Sequence, residues 1–190
     1  MGYLDEEILE TRRQLRRQEH TTLETGMYAG EELITFTCSK IFDSHVCIPL
    51  PDQFVMMPEG MKNIKYPSRE APDFVMTSLD STVNICLNLL PVSLKEGELE
   101  ALASQYKNAL QSIYPSMTIK KHRLMAEGQG LETECFEYRG SHLDGQSYNR
   151  VYLIRLRKMV LHGVFNCEWK NREDWSEIMD KIFLKAREEA

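Results

Sequence analysis

The cysteines and histidines have the widest chemical reach in this chain, five of each in 190 residues. His45-Val46-Cys47 puts an imidazole and a thiol on the same side of an extended segment, and Cys38 falls where the facing strand of a hairpin would lie. Three such groups could begin a zinc site. No fourth ligand stands at a recognisable spacing, so no metal is expected. Cys38, Cys47, Cys86, Cys135 and Cys167 form an odd set with no C-x-x-C pair, which fits reduced thiols in a reducing compartment. A cysteine nucleophile needs a cationic or helix-N-terminal setting, whereas Cys86 and Cys135 fall in the middle of strand-like runs. There is no G-x-S-x-G elbow. Glu132 and Glu134 share a strand face with only solvent and lysines opposite. Gly128 and Gly130 precede a strand, not a helix, so they read as a turn and not as a phosphate cradle. No catalytic residue and no cofactor is expected.

Charge removes further classes. Lys and Arg total 23 against 29 Asp and Glu, a net charge of −6, and the densest basic stretch (Arg150, Arg155, Arg157, Lys158) lies within an apolar run. A nucleic-acid partner is not expected. The apolar run 83–90 is interrupted by Asn84 and Asn88 and closed by Pro91, too short to span a bilayer. The first twenty residues are thick with Asp, Glu and Arg, so they are no signal peptide. The expected location is the cytoplasm, with no membrane insertion.

These residues need a frame. Leu4, Ile8, Thr11 and Leu15 predict a helix over 3–19 with a thin apolar stripe, acidic first and basic later. It forms an extension (1–30) ahead of one domain (31–190), and offers a surface for homo-oligomerisation. Alternation predicts strands at 33–38 and 44–48 and a hairpin at 74–79 and 82–90, with Val83, Ile85, Leu87 and Leu89 on one face and Asn84, Cys86 and Asn88 on the other. Ser93 with Glu96 reads as a capping box for a helix whose stripe is Leu99, Leu102, Tyr106, Leu110 and Ile113, stopped by Pro115. Strands follow at 118–126, 131–139, 147–156 and 159–169. A last helix (172–187) carries Trp175, Ile178, Met179, Ile182 and Phe183 at i, i+3, i+4, i+7 and i+8, with Asn171 as its N-cap. The fold class is α+β, an antiparallel sheet of about six strands packed with helices.

Between Pro49 and Pro72 the periodicity lapses. Pro51, Pro58 and Pro67 punctuate a long ordered loop with extended pieces, of a length that is often functional. Met56, Met57 and Met61 suit an adaptable contact surface, and Lys65, Tyr66 and Arg69 suit anchoring a partner.

The run Lys65-Tyr66-Pro67-Ser68, then Pro72, then Asp80-Ser81-Thr82-Val83-Asn84-Ile85, resembles small bacterial proteins of the Mog1/PsbP-like superfamily, near the DcrB-related group. The likeness covers roughly residues 31 to 188. An arginine common ahead of the second proline is here Ala71, with Arg69 two residues earlier. The resemblance implies an α/β/α sandwich used for binding: members serve as a small-GTPase cofactor, as photosystem accessory subunits and, in a DcrB-like branch, as chaperones for secreted effectors. It implies no catalytic residues. The expected function is therefore a non-enzymatic binding, adaptor or chaperone-like one, with a protein partner taken by the loop and the adjoining sheet surface. The alternative is a small enzyme with its active site near the same loop.

Overall fold

The structure is a computed structural model that describes residues 2–43, 45–67, 71–122, 124, 130–142 and 145–189. A long helix α1 (Gly2–Glu19) leads into short strands β1 (Thr21–Thr22), β2 (Gly26–Ala29) and β3 (Glu32–Ile34), then β4 (Phe36–Ile41) and β5 (Val46–Pro51). The proline-rich segment holds β6 (Val55–Met56) and α2 (Glu59–Lys65), and is followed by the hairpin β7 (Phe74–Thr77) and β8 (Asn84–Leu90). Next come α3 (Leu99–Ile113), β9 (Ile119–His122), β10 (Thr133–His142), β11 (Gly145–Arg155), β12 (Val160–Glu168), α4 (Arg172–Leu184) and β13 (Arg187–Glu188).

All strand pairs are antiparallel. The main sheet has seven strands in the order β6-β7-β8-β12-β11-β10-β9, and two smaller ones run β1-β2-β3 and β13-β5-β4. Because side chains alternate along a strand, the register sorts the main sheet into two kinds of row. Ile85, Phe165, Arg150, Glu137 and Lys120 stand side by side across β8, β12, β11, β10 and β9 on one face. Cys86, Val164, Val151, Phe136 and Lys121 form the next row, on the other.

Helix α4 buries Trp175, Ile178, Met179, Ile182 and Phe183 against the first face, its opposite side reaching β2 and β5, and this is the principal core. The predicted stripe holds in full. Helix α3 covers the second face, where Leu99 and Ala103 pack on Leu153 and Val160. Its stripe holds from Leu99 to Tyr106, whose ring meets Phe136 and His162, and gives out at Ile113, which is 67% exposed. Leu23 and Met27 already belong to the principal core, so residues 21–29 pack with the globular body, while α1 stands outside it.

The α+β class holds, with thirteen strands in three sheets among the described residues where about six were expected. The added strands are mostly two to four residues long, too short to show a period. The segment 49–72 contains a short helix, α2, whose single pair of turns leaves no amphipathic signature. Ser93 and Glu96 do not cap α3: Gly97 takes φ +84° and breaks the chain before the helix, and Glu98 instead accepts the Lys95 N–H at 2.8 Å. Asn171 makes no side-chain cap to α4. The strand expected over 118–126 ends at His122, its remainder lying outside the described residues apart from Leu124.

The cysteines require a larger correction. Cys38 and Cys47 are joined in a disulfide, with Cα atoms 6.0 Å apart, and only Cys86, Cys135 and Cys167 are free and buried. In the β4–β5 hairpin Lys40 is the partner of Cys47, which sets Cys38 diagonally across from it, within reach of an S–S bond. The bond also uses the two thiols of the would-be zinc trio, and His45 is left exposed.

Candidate binding surface and polar cavity

The proline-rich segment is rooted in the core by Phe54, whose ring packs on Trp175 with centroids 5.5 Å apart. Met57 then turns inward. It is buried with Val75 and Cys86 under the second face, so it is a lid residue and not the contact residue expected. Tyr66 packs on the same cluster, and its hydroxyl accepts from the Cys86 thiol at 3.1 Å and from Asn166 Nδ2 at 3.5 Å. Burial, then the neighbouring Cys86, holds its pKa above the usual tyrosine value. Tyr66 is a tether.

Lys65 is a second tether. Its Nζ donates to the Ser81 carbonyl at 2.8 Å, and burial lowers its pKa. Lys62 donates to the Asp73 carbonyl at 3.3 Å. Both acceptors border the β7–β8 hairpin, whose turn is shaped by Asp80 accepting from Ser78 and Thr82 and by Ser81 at φ +60°. These bonds hold α2 in place with its apolar side chains outward. Met56 is 53%, Met61 42%, Val55 42% and Ile64 84% exposed. β6 is also the outermost strand of the main sheet, paired among the described residues with β7 alone. Val55 and Ile64 were not anticipated, because two residues of strand and two turns of helix carry no readable period. Arg69 lies outside the described residues.

The opposite edge of the sheet holds a polar cavity of about 410 Å³ that no sequence motif announced. Lys120, Glu137, Arg139, Gln146, Tyr148 and Trp169 line it. Arg139 lies over the Trp169 ring at 4.7 Å and Arg172 at 4.8 Å, and Arg139 also donates to Gln146 Oε1. Behind the cavity runs a chain of paired groups. Tyr148 donates to Glu137, and His122 Nε2 stands 3.0 Å from the same carboxylate. Arg150 reaches the Tyr148 hydroxyl at 3.4 Å, Cys135 Sγ at 3.3 Å and Asp180 Oδ2 at 2.9 Å. Tyr152 donates to Asp180 Oδ1 at 2.7 Å.

Burial pushes the pKa of Asp180 up, with Arg150 opposing it. Burial also pushes up Glu137, but the Tyr148 hydroxyl and His122 outweigh it and the net shift is downward. The groups from His122 to Asp180 are thus engaged with one another, an arrangement that ties α4 to the sheet. The remaining thiols are poor nucleophiles, since burial pushes Cys86 up to about 11 and Cys135 and Cys167 up to about 12. Among the described residues no three metal-ligating side chains stand together, and no helix is long and apolar enough to cross a membrane.

No protein-family model matches the chain, and no curated protein matches its sequence. Solved structures do match its architecture. The solution structure of the cyanobacterial PsbP protein CyanoP from Synechocystis sp. PCC 6803 aligns with a TM-score of 0.56 at 10% identity, over 86% of this chain and 98% of that one. LpqN of Mycobacterium tuberculosis, described as involved in cell envelope biogenesis, aligns at 0.50 and 13% identity over 88% and 96%. A Bacteroides thetaiotaomicron VPI-5482 protein aligns at 0.51 and 8% identity over 80% of this chain and 48% of its own. With the seven-stranded antiparallel sheet and a long helix on each face, these likenesses establish that the chain has the Mog1/PsbP-like fold.

Proposed function

We propose that this protein is a non-enzymatic binding module, an adaptor or chaperone in the manner of the DcrB-like bacterial branch, that takes a protein partner on the β6–α2 face. One observation carries the reading: Val55, Met56, Met61 and Ile64 are exposed on a segment that Phe54, Lys65 and Tyr66 hold rigidly to the fold. Exposed apolar side chains on a pre-ordered frame are what a partner can desolvate at little entropic cost. The free edge of β6 adds backbone donors and acceptors that an extended segment of the partner can pair with. The contact residues are Met56 and Met61 with Val55 and Ile64, while Met57, Lys65 and Tyr66 support them from behind.

The enzymatic alternative places an active site beside the same loop. Beside the loop the titratable groups that meet are Lys65, Tyr66 and Cys86, where burial pushes the thiol up to about 11 and Tyr66 accepts its hydrogen. A larger set converges at the other edge of the sheet, around Glu137 and Tyr148, where the groups are bonded to one another.

The test pairs binding with stability. Affinity capture from the native organism identifies a partner, which is then titrated against the purified wild type and Met56→Asp/Ile64→Asp. The double variant is expected to lose at least tenfold in affinity while its melting temperature moves by only a few degrees, since both side chains are exposed. Unchanged affinity would remove this face from the reading.

A further inference from the structure

Helix α1 is 18 residues long, about 27 Å at 1.5 Å per residue. Its described side chains from Glu6 to Glu19 are all exposed, and among the described residues no other element packs closely against it. Its C-terminal end is fastened where Arg17 donates to the Gly30 carbonyl at 2.7 Å, meets Glu31 at 3.5 Å and lies over the Tyr28 ring. In proteins most of a helix's stability comes from packing an amphipathic face against something else. Ile8 and Leu15 are nevertheless 44% and 55% exposed.

Two patterns in α1 specify the missing support. Leu4, Ile8, Thr11 and Leu15 follow one another at spacings of four, three and four, the alternation of a and d positions along a coiled-coil seam. Charge is divided along the axis: Asp5, Glu6, Glu7 and Glu10 precede Arg12, Arg13, Arg16 and Arg17. Two copies laid parallel would set carboxylates beside carboxylates and guanidinium groups beside guanidinium groups. Two copies laid antiparallel set every acidic half against a basic half. The seam then pairs position 4 with 15 and position 8 with 11, and brings Asp5 of one copy near Arg12 of the other. We infer that α1 is a self-association element: a second copy of this chain docks on it as an antiparallel two-helix coil held by a short apolar seam and crossed acid–base pairing. The resulting interface is isologous and closes as a two-fold dimer.

The experiment uses the full chain. Sedimentation equilibrium between roughly 5 and 500 µM should show a monomer–dimer equilibrium that weakens as salt is raised, because exposed ion pairs are screened. An acidic variant (Arg12→Glu/Arg13→Glu/Arg16→Glu) and a basic variant (Asp5→Lys/Glu6→Lys/Glu7→Lys) should each lose at least tenfold in dimerisation. Mixed in equal amounts, the two should form heterodimers. Orientation is read by oxidative cross-linking: Leu4→Cys mixed with Leu15→Cys should give the mixed dimer in excess of either homodimer. A wild type that stays monomeric overturns the inference, as does a dimer untouched by both charge variants, a mixture that fails to associate, or preferential Leu4→Cys homodimers. Unchanged melting temperatures in the variants separate loss of association from loss of fold.

Discussion

The ring of Phe183 lies so close to the backbone of Gly163 that a Cβ there would overlap its Cε1 and Cζ. The same ring stacks on Tyr152, centroids 3.9 Å apart and planes 12° from parallel, and Tyr152 is the cross-strand partner of Gly163. Helix α4 approaches the sheet this closely because one strand position carries no side chain.

Gly163→Ala therefore forces a ring out of place, and should destabilise the fold by about 1–3 kcal/mol or more. Phe183→Ala should cost about 3–5 kcal/mol through the cavity it leaves. Urea midpoints of Gly163→Ala, of Phe183→Leu and of the two combined check the geometry: the double variant should cost clearly less than the sum, since the two sites share one contact.

The Arg150–Asp180 pair lies under α4, with the arginine 5% exposed. Arg150→Met leaves Asp180 without its cation and should cost about 3–5 kcal/mol, whereas Arg150→Met/Asp180→Leu should recover most of that loss. Equal destabilisation of single and double variants in chemical unfolding would contradict this role.

His162 predicts an acid-side loss of stability. Burial lowers its pKa to about 4 from 6.5, Asn88 Nδ2 approaches its Nδ1 at 3.5 Å, and its Nε2 has no hydrogen-bond partner. Between pH 6.5 and 4 the unfolded chain binds a proton here that the folded chain does not, so stability falls as pH drops through that window. The full effect is about 3 kcal/mol at 1.36 kcal/mol per pH unit. Denaturation of wild type and His162→Gln at pH 7, 5.5 and 4 should show a shallower pH dependence in the variant.

The Cys38–Cys47 bond is open to direct counting. Unfolded without reductant, the chain should show three reactive thiols, and with reductant five. Cys38→Ser/Cys47→Ala should cost up to about 2–3 kcal/mol, the chain-entropy value for so short a loop. Five free thiols in protein prepared without reductant would restore the reduced state that the odd cysteine count implies.

Local pattern alone determined much of this protein. Ile85 and Leu87 against Cys86 and Asn88, and Trp175 through Phe183 at helical spacing, set which side of each long element turns inward, because alternation and the 3.6-residue turn are properties of the chain itself. The resemblance carried by residues 65 to 85 went further and reached the fold. Tertiary structure alone decided the rest. That Glu137, Arg150 and Asp180 would meet follows from strand register and from where α4 crosses the sheet, over separations that no local period encodes. Met57 and Met56 are neighbours of one type, yet one is buried and the other exposed, because Met57, just past β6, donates its N–H to the Val75 carbonyl and packs with Val75 and Cys86. The strand pattern already set Cys38 across a hairpin from Cys47, the first pair to consider should any bond form, but the odd count pointed to reduced thiols; the observed register brings the two close enough to be joined.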